Sequence, residues 1–254
     1  MKRSIGSLLL LGCILCGPTS SQEERSATHV YEAYYRIPYA DLDAWEQSYR
    51  EHSVPVLEAL QEEGVIEGWT HSRHHTGGHY NIRFAFRSYD WASIETFWRE
   101  YLARLEDAAP ENQRTALERM IVEHRDEVWN LGETNLPEGL EANYMYASKF
   151  SVNFADLEEW NSMWSGLMAG FIEQAAEDGI RVGWVRLDHN TGGPHNSKHL
   201  FLFEDWDSID DFIFGRVLGT LSTEQPETWR RLNELFDMHD DAIWVPTAAE
   251  ETAQ

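Results

Sequence analysis

The sequence predicts an α+β fold built twice from one unit, and two observations carry that expectation. First, Gly68-Trp69-Thr70-His71-Ser72-Arg73-His74-His75-Thr76-Gly77-Gly78 returns at an offset of 115 as Gly183-Trp184-Val185-Arg186-Leu187-Asp188-His189-Asn190-Thr191-Gly192-Gly193. Around it, residues 62–97 and 177–212 share 15 identities over 36 ungapped positions, so the chain contains an internal duplication. Second, the apolar period switches between two and 3.6 in the same order in both copies: strand, helix, strand, strand, helix, a further helix, strand.

Residues 29–38 alternate Tyr31, Ala33, Tyr35 and Ile37 against Val30, Glu32, Tyr34 and Arg36, which suits a strand with one side in a core. The copy puts Tyr146, Ser148, Phe150 and Val152 at the matching positions. Asp41 and Asp156 then stand where a helix N-cap is wanted, ahead of Leu42 and Trp45 or Leu157 and Trp160. In the second copy Trp160, Trp164, Leu167, Met168, Phe171 and Ala175 keep helical spacing. Pro55 and the aligned Gly170 are poor mid-helix residues, so a kink is expected at the same place in both copies. Gly64 and Gly179 end that helix.

The repeated motif forms the next strand, Thr-Gly-Gly the turn, and residues 81–88 and 196–203 the return strand. Asp90 and Asp205 cap the following helix, whose stripes are Ile94, Phe97, Tyr101, Leu105 and Ile209, Phe212, Val217, Leu221. Pro110 and Pro226 break each run before a further helix. That helix is expected to carry Leu117, Met120, Ile121 and His124 in one copy and Leu232, Leu235, Phe236 and His239 in the other. A short last strand holds Val128-Trp129 and Ile243-Trp244. The repeated tryptophans Trp45/Trp160, Trp69/Trp184, Trp91/Trp206 and Trp129/Trp244 are read as core packing, with an aromatic binding wall as the alternative. The chain divides into a leader over 1–21, a linker over 22–28, repeat 1 over 29–135, repeat 2 over 144–246 and a flexible tail over 247–254.

Strand, helix, strand, strand, helix, strand is the split βαβ, or ferredoxin-like, order. Such a sheet has helices on one side and leaves the other uncovered, and two of them can cover each other. Duplicated in one chain, this order resembles the dimeric α/β barrel superfamily, whose members usually associate as two chains. The resemblance covers about residues 29–246 at the level of topology, and it implies two tandem ferredoxin-like repeats packed sheet to sheet as a single-chain dimeric α/β barrel. That superfamily includes monooxygenase-like, lyase-like and stress-responsive small barrels, and also the haem-binding chlorite dismutases and dye-decolorizing peroxidases. No specific family stands behind His-x-Thr-Gly-Gly, so no catalytic residue is carried over.

The 254 residues, 42% hydrophobic and 13% aromatic, are enough for a packed core. A net charge of −24 argues against nucleic acid or anionic membranes as partners, and against phosphate-rich substrates unless a local basic pocket exists. Residues 1–21 read as an export signal: Lys2-Arg3, an apolar run from Ile5 to Cys16, then small residues. Cleavage near Ser21 would release a periplasmic or secreted protein. Leu10-Leu11-Gly12-Cys13 also resembles a lipoprotein box, which would anchor the chain to the envelope through lipidated Cys13. Cys13 and Cys16 are the only cysteines, so the domain itself has no disulfide and no thiol nucleophile. There is no phosphate loop, dinucleotide glycine fingerprint or serine nucleophile elbow.

Histidine is the remaining candidate for chemistry. The candidate catalytic residues are His74 and His189 in the motif, and His124 and His239, each followed two residues later by Asp126 or Asp241. The topology brings all four to comparable levels of the barrel. The structural alternatives are a ring bonded to its own hairpin and a ring at a helix C-terminus. Asn81 and Asn196, with Thr76 and Thr191 at the turn, are candidate ligand-binding residues, or else turn-stabilising ones. His71, His75, His79, His195 and His199 are not paired by position and show no helical His-x-x-x-His spacing, so no metal site is assigned. The leading expectation is an exported protein holding a small organic ligand between its halves, with His74 or His189 as general acid or base if it is an enzyme. The alternatives are a non-catalytic envelope binding or scaffold protein, and a haem- or metal-binding barrel.

Overall fold

Two runs of strand and helix, offset by 115 residues, close on each other in the computed structural model, which describes residues 26–248. The leader over 1–21 with Cys13, most of the linker and the tail beyond 248 lie outside the described residues. Repeat 1 comprises β1 (His29–Arg36), α1 (Leu42–His52), α2 (Val54–Glu62), β2 (Gly68–Gly77), β3 (Ile82–Ser88), α3 (Trp91–Ala108), α4 (Glu111–Met120) and β4 (Glu123–Asn135). Repeat 2 comprises β5 (Tyr144–Val152), α5 (Leu157–Glu177), β6 (Val182–Thr191), β7 (Ser197–Phe203), α6 (Trp206–Ile209), a π-helical stretch (Asp210–Gly219), α7 (Thr220–Thr223), α8 (Pro226–Glu234) and β8 (Phe236–Ala248).

Each repeat makes the ferredoxin-like sheet, β4-β1-β3-β2 and β8-β5-β7-β6. The sheets join edge to edge, β2 with β8 and β4 with β6, so the eight antiparallel strands close into one barrel with no free edge. The fold is therefore the fused α+β barrel that the repeat order predicts. Helices cover the outside, and both faces of every sheet are buried. In repeat 1 the outward strand residues, such as Phe86, form one apolar core with the helix residues Trp45, Leu57 and Phe97. Trp160, Met168, Phe171, Phe203 and Phe212 form the counterpart in repeat 2. The inward residues Val30, Tyr34, Trp129, Leu187, Leu200 and Trp244 make a third cluster inside the barrel.

The duplicated motif is the seam between repeats. Gly77, Gly78, Gly192 and Gly193 have φ of +79°, +73°, +86° and +67°, a region that favours glycine. A Cβ on Gly77 would collide with the Asp241 carbonyl of the other repeat, and one on Gly192 with the Asp126 carbonyl. Beside each turn, His74 sets its edge on Trp244 at 5.7 Å and His189 on Trp129 at 5.9 Å, again across the seam.

Several local expectations need correction. Pro55 does break the first helix, between His52 and Val54, but Gly170 lies inside an uninterrupted α5. Proline lacks the N–H and clashes with the preceding turn, whereas glycine only weakens a helix that packing holds. Asp41 and Asp156 precede their helices without a capping hydrogen bond, while Asp90 and Asp205 accept from Ser93 N and Ser208 N at 2.8 Å. His124 and His239 lie on strands: α4 ends at Met120 and α8 at Glu234, and β4 and β8 are 13 residues each instead of short. Their three-residue spacing from Ile121 or Phe236 and four-residue spacing from Met120 or Leu235 fit a helical stripe, but strand pairing of His124 with Tyr35 and of His239 with Phe150 decides the outcome. Trp91 and Trp206 are 48% and 39% exposed and open their helices, outside the core.

The π-helical stretch has a sequence cause. The apolar stripe of repeat 1 steps by three and four residues, whereas in repeat 2 Phe212 and Val217 are five apart, and Ile209, Phe212, Val217 and Leu221 are all buried. An i→i+5 turn absorbs the one extra residue and keeps the stripe facing the sheet.

Candidate functional site

The four repeated histidines do not meet. His74 and His189 sit at the hairpins on the inner face of their strands, and His124 and His239 project from the outer face of β4 and β8. Sheet parity keeps the two pairs apart. The His189 ring bonds its own hairpin, with Nε2 2.9 Å from the Gly192 carbonyl. The His74 ring lines a polar surface depression with Arg36, Tyr39 and Tyr80, and burial followed by the nearby His75 lowers its pKa. Asn81 and Asn196 act as backbone splints. Asn81 accepts from Ile37 N at 2.9 Å and donates to Ile37 O at 2.6 Å, and Asn196 does the same with Val152 at 2.7 and 2.6 Å. Their amides are thus engaged by main chain. Thr76 and Thr191 are exposed on the hairpins and paired with Ile243 and Val128.

His124 and His239 each stand in an organised setting. His124 Nε2 is 2.7 Å from Asp126 Oδ1, and the ring stacks on Tyr35 at 4.9 Å. In repeat 2 the arrangement is richer. Ser148 Oγ donates to Asp241 Oδ1 at 2.7 Å, and His239 Nε2 lies 2.9 Å from that oxygen and 3.0 Å from Ser148 Oγ. The His239 ring stacks on Phe150 at 4.6 Å. Burial and then Asp241 push the Tyr146 hydroxyl pKa well up, so it stays protonated and faces that carboxylate as a donor.

These groups border a cleft of about 390 Å³ between the repeat 2 sheet and its helices. Aromatic rings line it, among them Phe150, Trp160, Trp164 and Trp229, and the π-helical stretch supplies Ile213, Val217 and Leu218 to the opposite wall. His199 faces it from β7. Burial, with a smaller effect of Arg186, pushes its pKa down to about 3, so the ring is neutral. Repeat 1 has a related cleft of about 370 Å³, but Ala33 stands at the Ser148 position, Phe84 at the His199 position, and Arg114, Glu106 and Glu118 border it.

Sequence reasoning missed a buried ionic cluster inside the barrel. The Glu32 carboxylate accepts from Lys198 Nζ at 2.5 and 2.6 Å, from Arg83 at 2.5 and 2.9 Å and from Tyr34 Oη at 2.7 Å. Beside it Lys149 Nζ donates to Glu127 at 3.1 Å and lies 4.0 Å from the centre of the Tyr34 ring, while Arg125 approaches Glu127 at 3.2 Å. Burial alone would raise the Glu32 pKa, but Lys198, Arg83 and Lys149 together hold it well below the usual carboxylate range. Burial, with Lys149 and Arg83 against the opposing pull of Glu32, brings Lys198 down to about 7. The signal was a charged residue at an inward parity position on each of five strands, visible only once the barrel is closed.

No protein-family model matches the sequence, and no curated protein matches it. Solved structures do share the fold. An anthrone oxidase-like protein superimposes with a TM-score of 0.58 at 11% identity, over 89% of this chain and 93% of its own. A proposed monooxygenase from Lactobacillus acidophilus gives 0.55 at 11%, over 88% and 95%. A mutant chlorite dismutase from Candidatus Nitrospira defluvii gives 0.51 at 11%, over 87% and 93%.

In the repeat 2 cleft the two lining histidines, His199 and His239, are engaged by protein partners and present no axial ligand to a haem there. Trp184 Nε1 donates to His199 Nδ1 at 3.2 Å, which leaves the neutral ring's proton on Nε2. His239 directs its Nε2 at Asp241 and Ser148. Neither ring offers a bare Nε2 to the cleft. Among the described residues, no group of three or more His, Cys, Asp or Glu side chains is placed to hold a metal ion. By topology and by these structural matches, the chain has the dimeric α/β barrel fold, with both ferredoxin-like halves fused in one polypeptide.

Proposed function

We propose that the protein binds a small aromatic molecule bearing a hydroxyl or carbonyl oxygen in the repeat 2 cleft, and that His239, oriented by Asp241, exchanges a proton with that oxygen. The observation that carries this reading is the convergence of Tyr146, Ser148, His239 and Asp241 on one wall of an otherwise aromatic cleft. Ligand sites commonly combine apolar walls with a few converging polar groups. The set does not activate a serine nucleophile: the Ser148 proton points at Asp241, leaving the imidazole as the proton-handling group. The anthrone oxidase-like neighbour is named for an aromatic substrate class, which agrees with the shape of this cleft. The leader over 1–21 supports action outside the cytoplasm, as a secreted or a Cys13-anchored protein, and the mass of the mature N-terminus distinguishes the two.

Calorimetric titration with 1-naphthol tests the site. Leu218→Trp, which fills the repeat 2 cleft, is expected to abolish binding, and His239→Ala to weaken it about tenfold, the loss of roughly one hydrogen bond to a polar group. Leu102→Trp, the corresponding obstruction in repeat 1, is expected to leave it unchanged. Naphthol binding that survives Leu218→Trp would remove the proposal.

A further inference from the structure

The barrel interior is a second, independent cavity. Its hairpin end is stoppered by Tyr34, Tyr80, Arg125 and Trp244, which leave only about 20 Å³. At the other end a cup of about 330 Å³ opens among the described residues, walled by Val30, Ala85, Met145, Val185, Leu200 and Leu202. Arg83 and Thr70 also line it. Arg83 binds Glu32 through Nε and Nη2, and its Nη1 faces Thr70 Oγ1 at 3.2 Å. The only carboxylate lining the cup, Glu67, is already paired with Arg87 at 2.8 Å and accepts from Ala27 N.

Charge inside the barrel is opposite in sign to the molecule as a whole. Arg83, Arg125, Lys149 and Lys198 face the interior against Glu32 and Glu127, with Asp240 at the closed end. With Lys198 protonated against Glu32, that is four cations to three carboxylates, one cation in excess, in a chain of net charge −24. Buried charge without a counter-charge is unfavourable, so an anion entering this cup gains where the same anion would be repelled elsewhere on the surface. The walls are apolar and the cation lies at their base, so the anion must carry an apolar body.

We infer that the barrel interior is a binding site for a small amphipathic carboxylate, of the medium-chain fatty acid class, with its head at Arg83 and Thr70 and its chain along the apolar wall. This site is separate from the repeat 2 cleft and stands or falls without it.

Titration of the full chain with decanoate, 1-decanol and decylamine tests the assignment. Decanoate is expected to bind at least tenfold more tightly than decanol, with no binding of decylamine. Val185→Trp, which fills the cup without touching a charge, should weaken decanoate at least twentyfold, and Thr70→Val about threefold with decanol unaffected. If Val185→Trp fails to fold by circular dichroism, Leu202→Trp nearby in the same wall takes its place with the same expected loss. Equal affinity for decanoate and decanol, or native affinity in the filled variant, would overturn the inference. So would loss of decanoate binding in Leu218→Trp, because that would put the fatty acid in the repeat 2 cleft.

Discussion

The two repeats share a backbone plan but have divided the polar work unequally. Inside the barrel both carboxylates of the ionic cluster, Glu32 and Glu127, come from repeat 1, where repeat 2 has Ala147 and Ala242 at the aligned positions. Repeat 2 answers with Lys198, aligned with Arg83, and with Lys149, aligned with Tyr34. Outside, the bias reverses: Ser148 and His199 of repeat 2 replace Ala33 and Phe84. A symmetric pair of repeat 2 halves would bury two copies of Lys149 and Lys198 with Asp240, at the closed end, as their acid. Fusion thus allowed the interior to become complementary and one outer cleft to become polar while the other stayed mainly a packing site.

That comparison can be broken or sharpened by experiment. The largest effect is expected from Glu32→Gln, which leaves Lys198 and Arg83 without their shared carboxylate and should destabilise by about 3–5 kcal/mol in urea unfolding. Adding Lys198→Met should recover at least about 1 kcal/mol relative to the sum of the single changes, and strict additivity would deny the coupling between halves. Next, Gly77→Ala and Gly192→Ala should each cost about 2–4 kcal/mol, through φ and through collision with the opposite repeat. Gly64→Ala, with open space around it, should cost only about 1 kcal/mol. Unequal losses at the two seam glycines would show that one seam dominates.

The acid response separates the outer clefts. His199, in repeat 2, has a folded pKa near 3 against an ordinary 6.5. The unfolded chain therefore binds the proton first, and stability falls as pH drops from about 6.5 towards 3, by up to about 1.4 kcal/mol per unit from this group. His199→Phe, the residue type repeat 1 carries there, should flatten that part of the stability curve, and an unchanged slope would mean the ring titrates normally. His71, in repeat 1, is pushed down to about 3 by burial and then by Arg50, and supplies the same sign independently. The smallest effect is expected from deleting Gly215 within the π-helical stretch. This restores the repeat 1 spacing and should change stability by less than about 1 kcal/mol. It should nevertheless narrow the cleft and weaken 1-naphthol, and unaltered binding would make the wide turn irrelevant to the site.

The architecture was legible because it rests on period and repetition. The offset of 115 marks the halves, the Gly-Gly turns mark the hairpins, and Asp90 and Asp205 mark helix starts. The site was less legible. His74 and His189 draw attention by repeating, yet what repeats is a seam contact, Gly77 against Asp241 and Gly192 against Asp126. The 124-type histidines were placed on helices because a three- or four-residue spacing near the end of a stripe fits either period. Glu32 and Lys198 touch across 166 positions, and each reads locally as the solvent side of a strand. Only pairing of β4 with β6 and of β2 with β8 turns that side inward.

The edge pairing has a consequence for the peptide between Asn135 and Tyr144. The ladders and glycine turns that join the halves are noncovalent, and this connector is held to repeat 2 by Leu136 and Leu140 over Gly183 and by hydrogen bonds linking Glu138, Glu141 and Asn143 with Arg181, Glu204 and Phe203. It works as a tether that keeps each half at high local concentration for the other. A protease nick there would produce two fragments that stay mated and come apart only on dilution.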